Sequence, residues 1–111
     1  MPIETKEYKR VDLVTLSGRI DSNTAADLEA AFATLTQDKR FRIVVDMQNL
    51  DYISSRGLRA LISTLKETRR WNRGDLRLCN VPERVAGVLD MAGLTPLFKT
   101  FDNTVDAVGS F

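Results

Sequence analysis

The run Phe41-Arg42-Ile43-Val44-Val45-Asp46-Met47 constrains this chain more than any other stretch. Three β-branched residues stand in a row, and the run is too short for a helix. Side chains of a strand alternate between its two faces. A strand apolar at successive positions is therefore covered on both faces, as central strands of parallel sheets are. A helical pattern stands on each side of it. Leu28, Ala31, Phe32 and Leu35 precede it, and Leu58, Leu61, Ile62 and Leu65 follow, each set at i, i+3, i+4 and i+7. Such a strand between two amphipathic helices predicts an α/β sheet with right-handed parallel crossovers.

The rest of the chain extends this pattern. Residues 3–8 alternate apolar or β-branched with charged side chains and predict an edge-like strand. Lys9-Arg10 reads as a turn. Val11-Asp12-Leu13-Val14-Thr15-Leu16 reads as a second strand stopped by Ser17-Gly18, antiparallel to the first because the connection is short. Asp21-Ser22-Asn23-Thr24 is a cluster of N-cap residues opening the first helix. The second helix is expected to end near Asn72-Arg73-Gly74, before a strand at Leu76-Arg77-Leu78-Cys79. Pro82 suits the first turn of a third helix, with Val85, Val88, Leu89 and Ala92 inward. Gly93 closes that helix and Pro96 prevents its continuation. Residues 98–101 form a short last strand, and Asp102-Asn103 caps a terminal helix carrying Val105 and Val108. The predicted order is β-β-α-β-α-β-α-β-α. It describes one domain over residues 1–111: an α/β fold with a mixed, mostly parallel sheet of about five strands and about four helices chiefly on one face.

What is missing narrows the chemistry. The 111 residues contain no histidine, which excludes Ser-His-Asp and Cys-His mechanisms and any His-ligated metal. The one cysteine, Cys79, has no internal disulfide partner and reads as a small buried hydrophobe. None of the six glycines is spaced as GxGxxG or as a Walker loop. Catalytic residues, metals and cofactors are not expected. Purely aliphatic runs reach only three residues, as in Ile43-Val44-Val45 and Ala60-Leu61-Ile62, so no membrane span is expected. Met1-Pro2-Ile3-Glu4 lacks the apolar core of a signal peptide, and a cytoplasmic location is expected.

Three blocks in order carry a family resemblance. Residues 44–59, Val-Val-Asp-Met-Gln-Asn-Leu-Asp-Tyr-Ile-Ser-Ser-Arg-Gly-Leu-Arg, resemble the signature of the STAS domain, the anti-sigma factor antagonist family. There a buried strand ending in Asp leads through a short loop to Ser-x-Gly-Leu at a helix start. Ser17-Gly18-Arg19-Ile20-Asp21 is similar to the family's Gly-x-Ile/Leu-Asp before the first helix, and Val88-Leu89-Asp90-Met91-Ala92-Gly93-Leu94 to its late helix.

The resemblance implies a phosphorylation switch. A serine or threonine two positions before the Gly is phosphorylated by a partner kinase that is also the anti-sigma factor, and a phosphatase reverses this. The unphosphorylated form binds the kinase and releases its sigma factor to act in transcription. Carried onto this chain, the acceptor is Ser55, with Ser54 as the alternative, since Ser54 replaces the Asp that many members carry before the acceptor. The partner surface would gather Asp21, Ser54, Arg56, Gly57 and Arg59. Ser54 and Ser55 are also ordinary capping residues, and Asp21 reads either as a cap or as part of that surface. A phosphate at a helix start meets unpaired N–H groups and a partial positive charge, with Arg56 or Arg59 available to hold it, and Gly57 would leave the backbone open to a kinase loop. Asp46 reads as the residue that orders the loop after the strand.

Charge offers another class of reading. Residues 56–77 contain seven basic and two acidic residues, a balance of +5 against a whole-chain charge of +1. Arg56, Arg59, Ser63, Lys66, Arg70 and Arg73 recur at helical spacing as a basic stripe. A solvated helix face or an acidic protein partner explains it better than nucleic acid, because the pI is only 7.9 and no aromatics interleave. Alternatives to the antagonist role are an interaction module of a stressosome-like assembly, a soluble transport-associated subunit, or a nucleotide-binding protein.

Overall fold

The computed structural model describes residues 2–111. Strands β1 (Ile3–Glu7), β2 (Asp12–Ile20), β3 (Arg42–Ile53), β4 (Asp75–Cys79) and β5 (Thr100–Phe101) form one sheet in the order β1-β2-β3-β4-β5. β1 pairs antiparallel with β2, and every other pairing is parallel. Helices α1 (Ser22–Gln37), α2 (Ser55–Arg69), α3 (Glu83–Met91) and α4 (Thr104–Gly109) complete the predicted order, with a short 3-10 turn at Thr95–Leu97.

Ile43, Val44 and Val45 are fully buried, as their two-faced pattern requires. Ile43 and Val45 face the larger cluster, where Leu28 and Phe32 of α1, Leu61 and Leu65 of α2, and Val85 and Leu89 of α3 meet the sheet. Val44 faces the smaller cluster, with Val11, Leu13, Cys79 and Ala107 of α4. Three helices thus cover one face and the short α4 the other. Each fully buried Leu, Ile or Val contributes about 1.5–3 kcal/mol of transfer free energy. Burial also pushes the Cys79 thiol pKa up, which fits a packing role.

The structure corrects several boundaries. β2 does not stop at Ser17-Gly18 but runs to Ile20, and β3 does not end at Asp46-Met47 but runs to Ile53. Two irregularities make this possible. Between Thr15↔Asp46 and Ser17↔Asn49, and again between Gly18↔Leu50 and Arg19↔Tyr52, β3 carries one residue more than β2. Asp46 lies within β3 at the first of these, where its Oδ1 accepts the Gln48 N–H at 3.0 Å. Gly18 supplies a φ of +67° at the second, a conformation that favours glycine. β5 is shorter than expected, and Pro82 is the N-cap of α3 rather than part of its first turn.

The apolar faces also differ from expectation. α2 buries Gly57, Ala60, Leu61, Thr64, Leu65 and Thr68, while Leu58 and Ile62 are only half-buried. The helix is rotated toward its small residues, which allow close approach. Val88 of α3, Ala92 at its C-cap and Val105 of α4 are exposed; Val85, Leu89 and Ala107 make the inward contacts. Gly93 closes α3 with φ +72°, as predicted.

Candidate functional site

The two bulges bring β2 and β3 level at their carboxyl ends, where Ile20 pairs with Ile53. The Ser54 N–H donates to the Ile20 carbonyl at 2.8 Å. The next residues on each strand begin helices, so the N-termini of α1 and α2 stand side by side. Asp21 and Ser54 are their N-caps. Both ends direct their positive partial charge toward the same surface.

Asp21 forms a capping box. Its Oδ1 accepts the N–H groups of Asn23 at 3.0 Å and Thr24 at 2.9 Å, and the Thr24 hydroxyl accepts the Asp21 N–H at 2.7 Å. The bond from the Thr24 backbone is the main cause of a lowered Asp21 pKa. The Asp21 side chain accepts only through Oδ1; Oδ2 makes no hydrogen bond to a described residue.

The two candidate serines sit in different surroundings. Ser54 is 8% exposed, and its Oγ accepts the Gly57 N–H at 3.2 Å. Ser55, the first residue of α2, is exposed, and its hydroxyl makes no hydrogen bond to a described residue.

Gly57 overturns the expectation of an open backbone. It is buried, and a Cβ built there would lie 2.7 Å from Ile53 Cγ1 and 3.1 Å from Ile20 Cγ2. The glycine lets the first turn of α2 sit down on the ends of β2 and β3, and its N–H is already taken by Ser54.

The two arginines also divide. Arg56 reaches back to α1, where Nη2 and Nε donate to Glu29 at 2.9 Å and 3.2 Å and Nη1 donates to the Ser22 carbonyl at 3.3 Å. This lowers the Glu29 pKa and raises that of Arg56, each chiefly through the hydrogen bond between them. The Arg59 side chain is exposed and makes no hydrogen bond or ion pair with a described residue, though its charge adds to the lowering of the Glu29 pKa; it lies four residues after Ser55, on the same helix face. It lines a groove of about 520 Å³ between α1 and α2 with Glu29, Ser63 and Glu67. Elsewhere on the basic stripe, Arg70 pairs with Glu67 at 3.2 Å.

Sequence reasoning missed Glu29 and the pair Arg19–Tyr52. The Arg19 guanidinium stands 4.4 Å from the centroid of the Tyr52 ring, beside Asp21 and Ser54 in the chain, and Tyr52 is 41% exposed. Both lie within the resembling blocks, where an exposed aromatic beside a cap was the available signal.

On α2 this polar surface offers the free hydroxyl of Ser55 and the exposed guanidinium of Arg59, and beside them stands the half-used carboxylate of Asp21. Among the described residues no helix is long and apolar enough to cross a membrane.

The sequence model of the STAS domain matches residues 2–107, and the chain belongs to the STAS domain family. BtrV of Bordetella bronchiseptica is 32% identical over 99 residues, covering 89% of this chain and 84% of that protein. The anti-sigma F factor antagonist of Paenibacillus polymyxa is 28% identical over 109 residues, covering 97% and 92%. The Bacillus cell fate determinant SpoIIAA in its phosphorylated form shares the fold with a TM-score of 0.78, 97% of each chain covered and 17% identity.

Proposed function

We propose that this protein is an anti-sigma factor antagonist, a binding module switched by phosphorylation of Ser55. The observation that carries the reading is the contrast between the adjacent serines at the start of α2. Ser55 is exposed with an unengaged hydroxyl, whereas Ser54 is buried and holds the Gly57 N–H. The names of relatives such as the Paenibacillus antagonist support the same role.

In this mechanism the unphosphorylated surface docks on an anti-sigma factor that is also a serine kinase. The free Asp21 Oδ2 and the Arg59 guanidinium supply polar contacts, and the sigma factor is released. Phosphorylation adds about −1.5 to −2 charge at the centre of the interface. The helix N-terminus tolerates that charge in the free protein. In a packed interface it is desolvated without a partner, a loss on the order of 2–5 kcal/mol and enough to abolish binding. The fold stays the same and the surface changes. Arg56 keeps α1 and α2 aligned through Glu29, which leaves Arg59 as the phosphate's nearest free guanidinium on α2. A phosphatase restores the binding form.

Isothermal titration against the anti-sigma factor tests the reading. Wild type and Ser55→Ala should bind alike, and Ser55→Asp should bind more weakly, though less so than the phosphorylated protein. Equal affinity for all forms would exclude the switch.

A further inference from the structure

The opposite end of the molecule carries a feature that the antagonist reading does not use. A cleft of about 540 Å³ opens where β3 and β4 begin and α2 has just ended, lined by Arg10, Arg42, Arg69, Arg73, Arg77 and Lys99. The 15 residues of α2 put it about 20 Å from Ser55, at roughly 1.5 Å per residue. The one acidic side chain in its wall, Asp75, is buried and doubly engaged. Arg69 Nε donates to its Oδ1 at 2.8 Å and Arg77 Nε to its Oδ2 at 3.0 Å. The same arginines donate to the carbonyls of Leu97 and Ser110, each at 2.7 Å. Two guanidiniums are thus fixed in the wall, and the local negative charge is used up.

The other four cations have no such tie. The side chains of Arg10, Arg42, Arg73 and Lys99 make no hydrogen bond or ion pair with a described residue. Gathering them in one concavity costs repulsion and focuses a positive field. Arg73 also holds a φ of +63°, a left-handed conformation that arginine rarely adopts. The concavity is the size of a small-molecule pocket, about 300–1,000 Å³. Its one aromatic ring, Phe111, is covered by the Arg77 guanidinium at 4.0 Å, so base stacking of the kind that holds single strands has no platform. Guanidinium forks match phosphate oxygens in pairs.

We infer that this cleft binds a small polyphosphate anion, one with two or more phosphoryl groups, between the free Arg10, Arg42, Arg73 and Lys99 and the fixed wall of Arg69 and Arg77. Titration of the full chain with sodium tripolyphosphate at constant ionic strength tests it. The expected result is saturable one-to-one binding, weakened about tenfold or more in Arg42→Gln/Arg73→Gln. Lys66→Gln/Arg84→Gln removes the same charge outside the cleft and should leave the affinity within about twofold. ATP and inorganic pyrophosphate as competitors then tell a nucleotide source from an inorganic one. Absence of saturable binding, equal weakening in both double variants, or citrate binding as tightly as tripolyphosphate would overturn the inference. So would a single-stranded oligonucleotide that binds through Arg42 and Arg73 where tripolyphosphate does not.

Discussion

Arg56 and Glu29 are joined by two hydrogen bonds, Nη2 to Oε1 at 2.9 Å and Nε to Oε2 at 3.2 Å, which tie the first turn of α2 to α1. A third bond from the same guanidinium reaches the carbonyl of Ser22, the first residue of α1. The arginine that the sequence offers as a phosphate ligand is therefore a brace between the two helix N-termini, and it fixes the surface on which Ser55 sits.

That brace has an acid limit. The Arg56 hydrogen bond holds the Glu29 carboxyl below its ordinary 4.5, and the Thr24 backbone N–H holds Asp21 below 3.8. A depressed carboxyl stabilises the fold fully above its unfolded value and loses that contribution as pH falls through the folded one. The brace and the α1 cap should weaken together below about pH 4. Carboxyl NMR titration should give midpoints below those ordinary values for both residues; midpoints at or above them would remove the brace from the account.

Gly57→Ala should destabilise the protein despite improving helix propensity. The propensity gain is about 1 kcal/mol, whereas forcing a Cβ to within 2.7 Å of Ile53 Cγ1 overpacks the turn at a cost of about 1–3 kcal/mol. Chemical denaturation should show a net loss. A gain would mean that the turn has room and that Gly57 serves another purpose.

The rotation of α2 separates two neighbouring residues. Leu61→Ala removes a fully buried side chain and should cost about 2–5 kcal/mol. Ile62→Ala trims a half-buried one and should cost about 1 kcal/mol or less. Comparable losses in urea unfolding would place the apolar face where hydropathy alone puts it.

Much of the fold was legible because it is local. The Ile43-Val44-Val45 run marks the central strand, and the caps at Asp21 and Ser54 mark two helix starts. The second half of β3 was hidden because two extra residues break its alternation. Met47, Leu50 and Ile53 are buried at intervals of three, a spacing that matches no simple strand, and Gln48, Asn49 and Asp51 between them read as loop. The buried face of α2 was misread because Gly57, Ala60, Thr64 and Thr68 score as weakly apolar, although small size is what close packing selects. The side-by-side placement of Asp21 and Ser54 depends on the pairing of Ile20 with Ile53, residues 33 positions apart. Glu29 carried no sequence signal, since a carboxylate on an exposed helix face is ordinary until its partner is known.

Asp21→Asn isolates recognition from folding. Asparagine caps a helix as well as aspartate does, so thermal unfolding should barely change. Removing the charge at the free Oδ2 should weaken binding to the anti-sigma factor. Unchanged affinity would restrict Asp21 to its capping role.

The most direct test of the account is where phosphate goes. After incubation with the cognate anti-sigma factor kinase and ATP, fragmentation mass spectrometry should place a single phosphate on Ser55. Ser55→Ala should abolish the modification. Ser54→Ala should retain it, at the loss of the cap to Gly57 and about 1 kcal/mol of stability. Phosphate on Ser54, or no phosphate on either serine with a kinase shown to be active, would contradict the assignment of Ser55 as the switch.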